Sequence, residues 1–154
     1  MRPDWDDYFL SIAKVVATRS NCVRRQTGAV IVTQEHQIIT TGYNGTPRGY
    51  RNCDEGGCPR CSGDAPSGSD LSECFCSHAE ENAIVQAALH GVSVKDGHMY
   101  ATHSPCLICA KMIVNAGIRL VVFETLYPTF EAQSKPLLKA CGVTLVYKRD
   151  GKDS

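Results

Sequence analysis

The chain has 154 residues, 43% of them hydrophobic and 21% charged, and its sixteen basic side chains balance sixteen acidic ones. That length fills one core and is short for two, and zero net charge excludes a broad footprint for nucleic acid or anionic lipid while leaving room for a local phosphate pocket. No apolar run approaches the roughly eighteen residues that span a bilayer, and MRPDWDDYF begins acidic and aromatic where a secretory leader begins basic and then apolar. A single cytoplasmic domain over 1–154, without a membrane or nucleic-acid partner, is expected.

Residues 4–19 place Trp5, Tyr8, Phe9, Ile12, Val15 and Val16 at spacings of three and four, predicting a helix that buries this face, with Pro3 suited to its first turn. GAVIV (28–32) and QIITTGY (37–43) predict two strands joined by a short hairpin connection through the polar TQEH. Residues 44–77 are rich in Gly, Pro, Ser and Cys and carry no period. A segment that long inside a compact domain has to be ordered by something other than its own core.

The stretch 78–89 predicts a helix with Ala83, Ile84, Ala87 and Ala88 inward and Gly91 as its stop. HMYAT (98–102) predicts a strand, 106–115 a helix opened by Pro105 and closed near Gly117, and IRLVVFE (118–124) a strand covered on both faces. A helix over 131–140, a strand at VTLVY (143–147) and a frayed RDGKDS complete the chain. This order predicts an α/β fold in which a five-stranded mixed sheet is sandwiched between helices.

Nine cysteines are many for a chain that has core material to spare, and their number is odd. Five lie between 53 and 76, and two more form a separate Cys106-x-x-Cys109 pair, so metal ligation is the better reading. The spacing of three puts the Cys106 and Cys109 sulfurs on one side of a first helical turn, where unpaired N–H groups and the positive helix end favour thiolates. His78 stands at the front of the other helix. If the two helix starts face each other, one imidazole and two thiolates leave a fourth tetrahedral zinc position for water.

Glu80, two residues after the histidine, is directed towards that water and not towards the ion. Taken singly, a CxxC pair can be structural or redox-active, and a His or Glu at a helix start is favoured by the dipole alone. Taken together, H-x-E followed by P-C-x-x-C is the order found in zinc deaminases.

On these residues the chain resembles the cytidine deaminase-like superfamily, and the resemblance runs from the first helix to about Val146. TGYNG (41–45), the cysteine-bearing insert at about 45–77, HAEENAI (78–84) and THSPCLICAKMIVNAGI (102–118) are similar to deoxycytidylate (dCMP) deaminases in particular. The resemblance implies a three-layer α/β/α fold and hydrolysis of dCMP to dUMP and ammonia, which supplies dUMP for thymidylate synthesis. It implies a catalytic zinc on His78, Cys106 and Cys109, with Glu80 as proton shuttle.

It further implies that Asn44 contacts the deoxyribose, that Tyr127 lines the base pocket, and that the backbone around Ala79 and Ser104 holds the amino group and ring edge. Ser20, Arg24 and Arg25 in RSNCVRR (19–25) are the nearest groups for a 5′-phosphate. Without a ligand, GYNG reads as a turn and the arginines as a solvated helix end.

A second, closed zinc site of four thiolates would order the insert. The resemblance selects Cys22, Cys53, Cys58 and Cys74, with Cys61 and Cys76 as alternates, because CPRC (58–61) is itself a zinc hook. Cys141 reads as a free buried cysteine.

Relatives controlled by dCTP with Mg2+ and by dTTP can carry an arginine where this chain has Leu89, with His90 and Arg48 as substitute cations. The resemblance also implies a dimer or hexamer. Activity on dCTP, a free nucleoside or transfer-RNA adenosine, a zinc-stabilised module without activity, and a thiol redox protein using Cys58 and Cys61 or Cys106 and Cys109 are the alternative readings.

Overall fold

The structure, a computed structural model, describes residues 1–67 and 69–149. Its chain order is α1 (Trp5–Ala17), β1 (Gly28–Val32), β2 (Ile38–Tyr43), α2 (Pro59–Ser62), α3 (Ala79–Leu89), β3 (His98–His103), α4 (Leu107–Asn115), β4 (Leu120–Thr125), α5 (Lys135–Ala140) and β5 (Thr144–Tyr147). The sheet runs β2-β1-β3-β4-β5. β1 is antiparallel to both β2 and β3, whereas β3, β4 and β5 are mutually parallel.

Alternation along the strands sorts side chains to two faces. Ala29, Ile31, Met99, Ala101, Val121 and Phe123 pack under α3, α4 and α5, while Val30, Val32, Tyr100 and Val122 pack under α1 alone. The expected three layers are present, with one helix on one side and three on the other. Among the described residues no helix is long and apolar enough to cross a membrane.

The buried face of α1 differs from the expected one. Phe9, Leu10, Ala13 and Ala17 are buried, whereas Trp5, Tyr8 and Val15 are exposed. Gly28 explains the rotation: a Cβ there would lie 2.1 Å from the Ala13 carbonyl oxygen, so the helix and β1 touch backbone to backbone and admit only alanine at the contact. Trp5 instead stacks on His36 of the hairpin connection, with ring centroids 4.2 Å apart.

The same device docks α3. A Cβ on Gly42 would meet the Ala79 carbonyl and the Ala83 N–H at 2.4 Å, which lays the Ala79, Ala83 and Ala87 face on β2. Ala88, expected inward, is exposed because it lies about 100° round the helix from Ala87.

Near the end of the chain, Phe130–Ser134 forms a wide π-type turn before α5 begins. Lys135 donates its N–H to Phe130 O, and Pro136 has no N–H with which to continue the ladder. Cys141 is free but exposed, since it caps α5 on the solvent side. The expected fraying of RDGKDS falls, beyond Arg149, outside the described residues.

Replacing Gly42 with alanine is expected to lower unfolding free energy by about 1–3 kcal/mol through overpacking. Urea denaturation checks this, and a midpoint equal to the parent's would show that α3 docks without the close approach.

Candidate metal centre

His78 is the residue from which α3 departs, and Cys106 holds the same place for α4. Both helices start at the end of the sheet where β2 and β3 stop, so the two starts lie side by side. The His78 Nδ1 is 3.3 Å from Cys106 Sγ and 3.4 Å from Cys109 Sγ. Tetrahedral zinc, with Zn–S near 2.3 Å and Zn–N near 2.0–2.1 Å, demands nitrogen–sulfur separations of about 3.6 Å. The three expected ligands therefore fit the ion by distance, and by chemistry as two sulfurs and an imidazole.

Electrostatics points the same way. Hydrogen bonding from Cys109 pulls the Cys106 thiol down to about 4, and the neighbouring His78 contributes. Burial opposes charging His78, but the Cys106 thiolate beside it prevails and lifts the imidazole to about 9. Cys109 keeps its proton, held by Cys106 and by burial. The cluster thus sets a thiolate against an imidazolium, and a bound cation would take the place of the His78 and Cys109 protons.

Glu80 is buried in the first turn of α3, only 6% exposed, and burial raises its carboxyl to about 7. His78 and Cys106 act on it electrostatically, and Cys109 shares a hydrogen bond with it. Glu81, missed in the sequence reading, accepts the His78 N–H at 3.1 Å and so fixes the backbone from which the imidazole projects. The signal was available as a glutamate at the third helical position.

A cavity of about 260 Å³ opens beside His78, bounded by Arg24, Arg25, Asn44, Arg60 and Tyr127 among others. Asn44 is buried: its Oδ1 accepts from the Thr27 N–H and the Ser20 hydroxyl, and its Nδ2 donates to Arg25 O. Ser20 therefore positions Asn44, and it does not line the cavity. Arg24 spends its guanidinium on the carbonyls of Cys61, Gly63 and Ala65, leaving Arg25 as the cation of that run that faces inward.

The Arg25 guanidinium lies 4.4 Å over the Tyr127 ring and donates to the Ser67 hydroxyl. Arg60, brought in by the insert, had no sequence signal. Ser104 is fully buried and accepts the Tyr127 N–H at 2.7 Å, while Ala79 is fully buried against β2.

His103 was also missed. Its Nδ1 lies 2.8 Å from the Thr102 hydroxyl, which accepts the Gly28 N–H, and its ring meets Tyr127 edge-on. Burial, helped by Arg25, depresses it to about 4.

The cysteines of the insert are brought together, but not as the expected set. Cys22 and Cys53 converge with Cys61 and Cys76, whereas Cys58 and Cys74 converge with the same Cys61 and Cys76. No grouping among the described residues consists of Cys22, Cys53, Cys58 and Cys74.

The family model for the cytidine and deoxycytidylate deaminase zinc-binding region matches residues 3–125. The chain belongs to this family. It is 45% identical over 144 residues to the deoxycytidylate deaminase of Schizosaccharomyces pombe, covering 94% of this chain and 44% of that protein. It thus spans less than half the length of that relative. The deoxycytidylate deaminase of Mycobacterium phage D29 is 41% identical over 127 residues, covering 79% of this chain and 95% of that one. Among solved structures, the dCMP deaminase of cyanophage S-TIM5 in complex with dCMP and dUMP superposes with a TM-score of 0.76 at 31% identity, covering 96% and 98% of the two chains.

A histidine whose folded pKa lies below the ordinary 6.5 contributes stability above that value and loses it as pH falls towards about 4. The melting temperature of the parent should therefore fall more steeply between pH 6.5 and 4 than that of His103→Asn. Parallel curves would show that His103 titrates normally.

Proposed function

We propose that the chain hydrolyses dCMP to dUMP and ammonia. The observation that carries this reading is a buried carboxyl, Glu80, close to a cluster of one imidazole and two cysteine sulfurs whose histidine borders a cavity with arginines in its wall. His78, Cys106 and Cys109 would hold a zinc ion, which would supply a water of lowered pKa as nucleophile for C4 of the cytosine ring.

Glu80 has a pKa near 7, so it takes a proton as readily as it returns one. It would accept the first proton of the water and pass it to N3, then take the second from the new C4 hydroxyl and give it to the amino nitrogen, so that the C4–N bond breaks, ammonia departs and the C4 carbonyl forms. Tyr127 and Asn44 wall the cavity as base and sugar contacts, with Ala79 and Ser104 offering backbone to the ring edge. Arg25 and Arg60 place positive charge where a 5′-phosphate needs it. The likeness to the cyanophage enzyme supports dCMP over a free nucleoside, and zero net charge disfavours a transfer-RNA substrate.

The reading extends to assembly as a dimer or hexamer and to control by dCTP with Mg2+ and by dTTP. Arg48 lies in a surface groove with Tyr50 and Phe75, whereas Leu89 and His90 are exposed at the end of α3.

Glu80→Gln should retain zinc while kcat falls by about 10²–10⁴. Elemental analysis paired with an ammonia-release assay checks both, and normal turnover removes the assignment. Arg25→Ala should narrow the preference for dCMP over deoxycytidine by about tenfold, worth ~1.4 kcal/mol of phosphate contact. An unchanged ratio of kcat/KM values would place the phosphate elsewhere.

A further inference from the structure

The cysteines around the insert form a packed centre of their own. Cys22, Cys53, Cys58, Cys61 and Cys76 are buried together, and Cys74 is partly buried against them. The short elements of the insert meet at these residues: Cys53 opens a single helical turn, Cys58 and Cys61 flank and occupy α2, and Cys74 closes the turn Leu71–Glu73. None of the six is in a disulfide.

Their sulfurs form two groups of four, each within 4.8 Å throughout, and Cys61 and Cys76 belong to both. Individual separations are 3.8 Å for Cys22 and Cys61, 3.7 Å for Cys61 and Cys74, and 3.6 Å for Cys58 and Cys74. A tetrahedron built on Zn–S bonds of about 2.3 Å has sulfur–sulfur edges of about 3.8 Å, whereas a disulfide needs about 2.05 Å. The arrangement therefore has the dimensions of two metal–thiolate tetrahedra that share one edge.

We propose that the insert holds a binuclear cluster of two zinc ions and six thiolates. Cys61 and Cys76 bridge the ions, Cys22 and Cys53 complete one tetrahedron, and Cys58 and Cys74 complete the other. Each sulfur releases its proton to solvent on binding, with no change of oxidation state.

Charge favours two ions over one. A single ion on four thiolates and two ions on six carry the same net double negative charge, but one ion leaves two thiols idle beside an anion. The Phe75 N–H donates to the Cys58 sulfur at 3.2 Å, a contact that stabilises a thiolate. Arg24 and Arg60 hold the carbonyls of Cys61, Gly63, Ala65, Pro66 and Ser69, and so set two cations against the anionic centre. Cys22, Cys61, Cys74 and Cys76 also face the cavity that contains His78 and Arg25, which makes the cluster one wall of that cavity.

The full chain, produced with zinc, is expected to show about three zinc ions per chain by native mass spectrometry, and about two in His78→Ala. Substitution with cadmium-113 should give two resonances in the all-thiolate region, each split by the other through the shared sulfurs. Two zincs in the parent and one in His78→Ala, a single all-thiolate resonance, two unsplit resonances, or disulfides in place of metal would each overturn the proposal. These readouts do not depend on turnover, so loss of the deaminase reading leaves them intact.

Discussion

Two helix starts that meet are the constraint on which the rest depends. His78 and Cys106 carry their donor atoms at the N-caps of α3 and α4, where the backbone still has unpaired N–H groups and the helix dipole is positive. The meeting is set from a distance. Gly42 draws α3 onto β2, and the turn from β3 to α4 is held by the Ser104 N–H on Thr125 O and by Ser104 Oγ under the Tyr127 N–H. A shift of either helix by one residue would carry its ligands round by about 100° and dissolve the site.

The balance of charge over the whole chain conceals a strong local organisation. Arg24, Arg25 and Arg60 converge at one cavity, yet they are not equivalent. Arg24 and Arg60 hold backbone carbonyls of the insert, whereas Arg25 lies on the face of Tyr127. The first two close the insert, while Arg25 is held by the Tyr127 ring and the Ser67 hydroxyl. Glu80, buried in the first turn of α3, owes its raised carboxyl to that burial.

What the sequence discloses tracks how local each signal is. His78, Glu80, Cys106 and Cys109 were legible because each motif sits within one helical turn, and the strands were legible because alternation and apolar runs are local too. The buried face of α1 was misread because an achiral residue in another element, Gly28, decides which side of the helix comes close. Arg60 reaches the cavity only through the path of the insert, and His103 meets Tyr127 only from the end of β3, placements that no spacing encodes. The insert cysteines were legible as a set that would gather, but not in their grouping, since which sulfurs lie within reach of one another depends on how three short turns stack.

The insert leaves the domain through a narrow neck. Gly45 and Ser77 exchange two backbone hydrogen bonds, Gly45 N to Ser77 O at 3.1 Å and Ser77 N to Gly45 O at 2.8 Å. The chain thus enters and exits at one point on the rim of the sandwich, and the entropy of closing the excursion depends only weakly on its length. Such a junction lets the excursion be lengthened, shortened or exchanged as a cassette while the helices and sheet keep their register, so variation in pocket architecture can accumulate on an unchanged α/β scaffold.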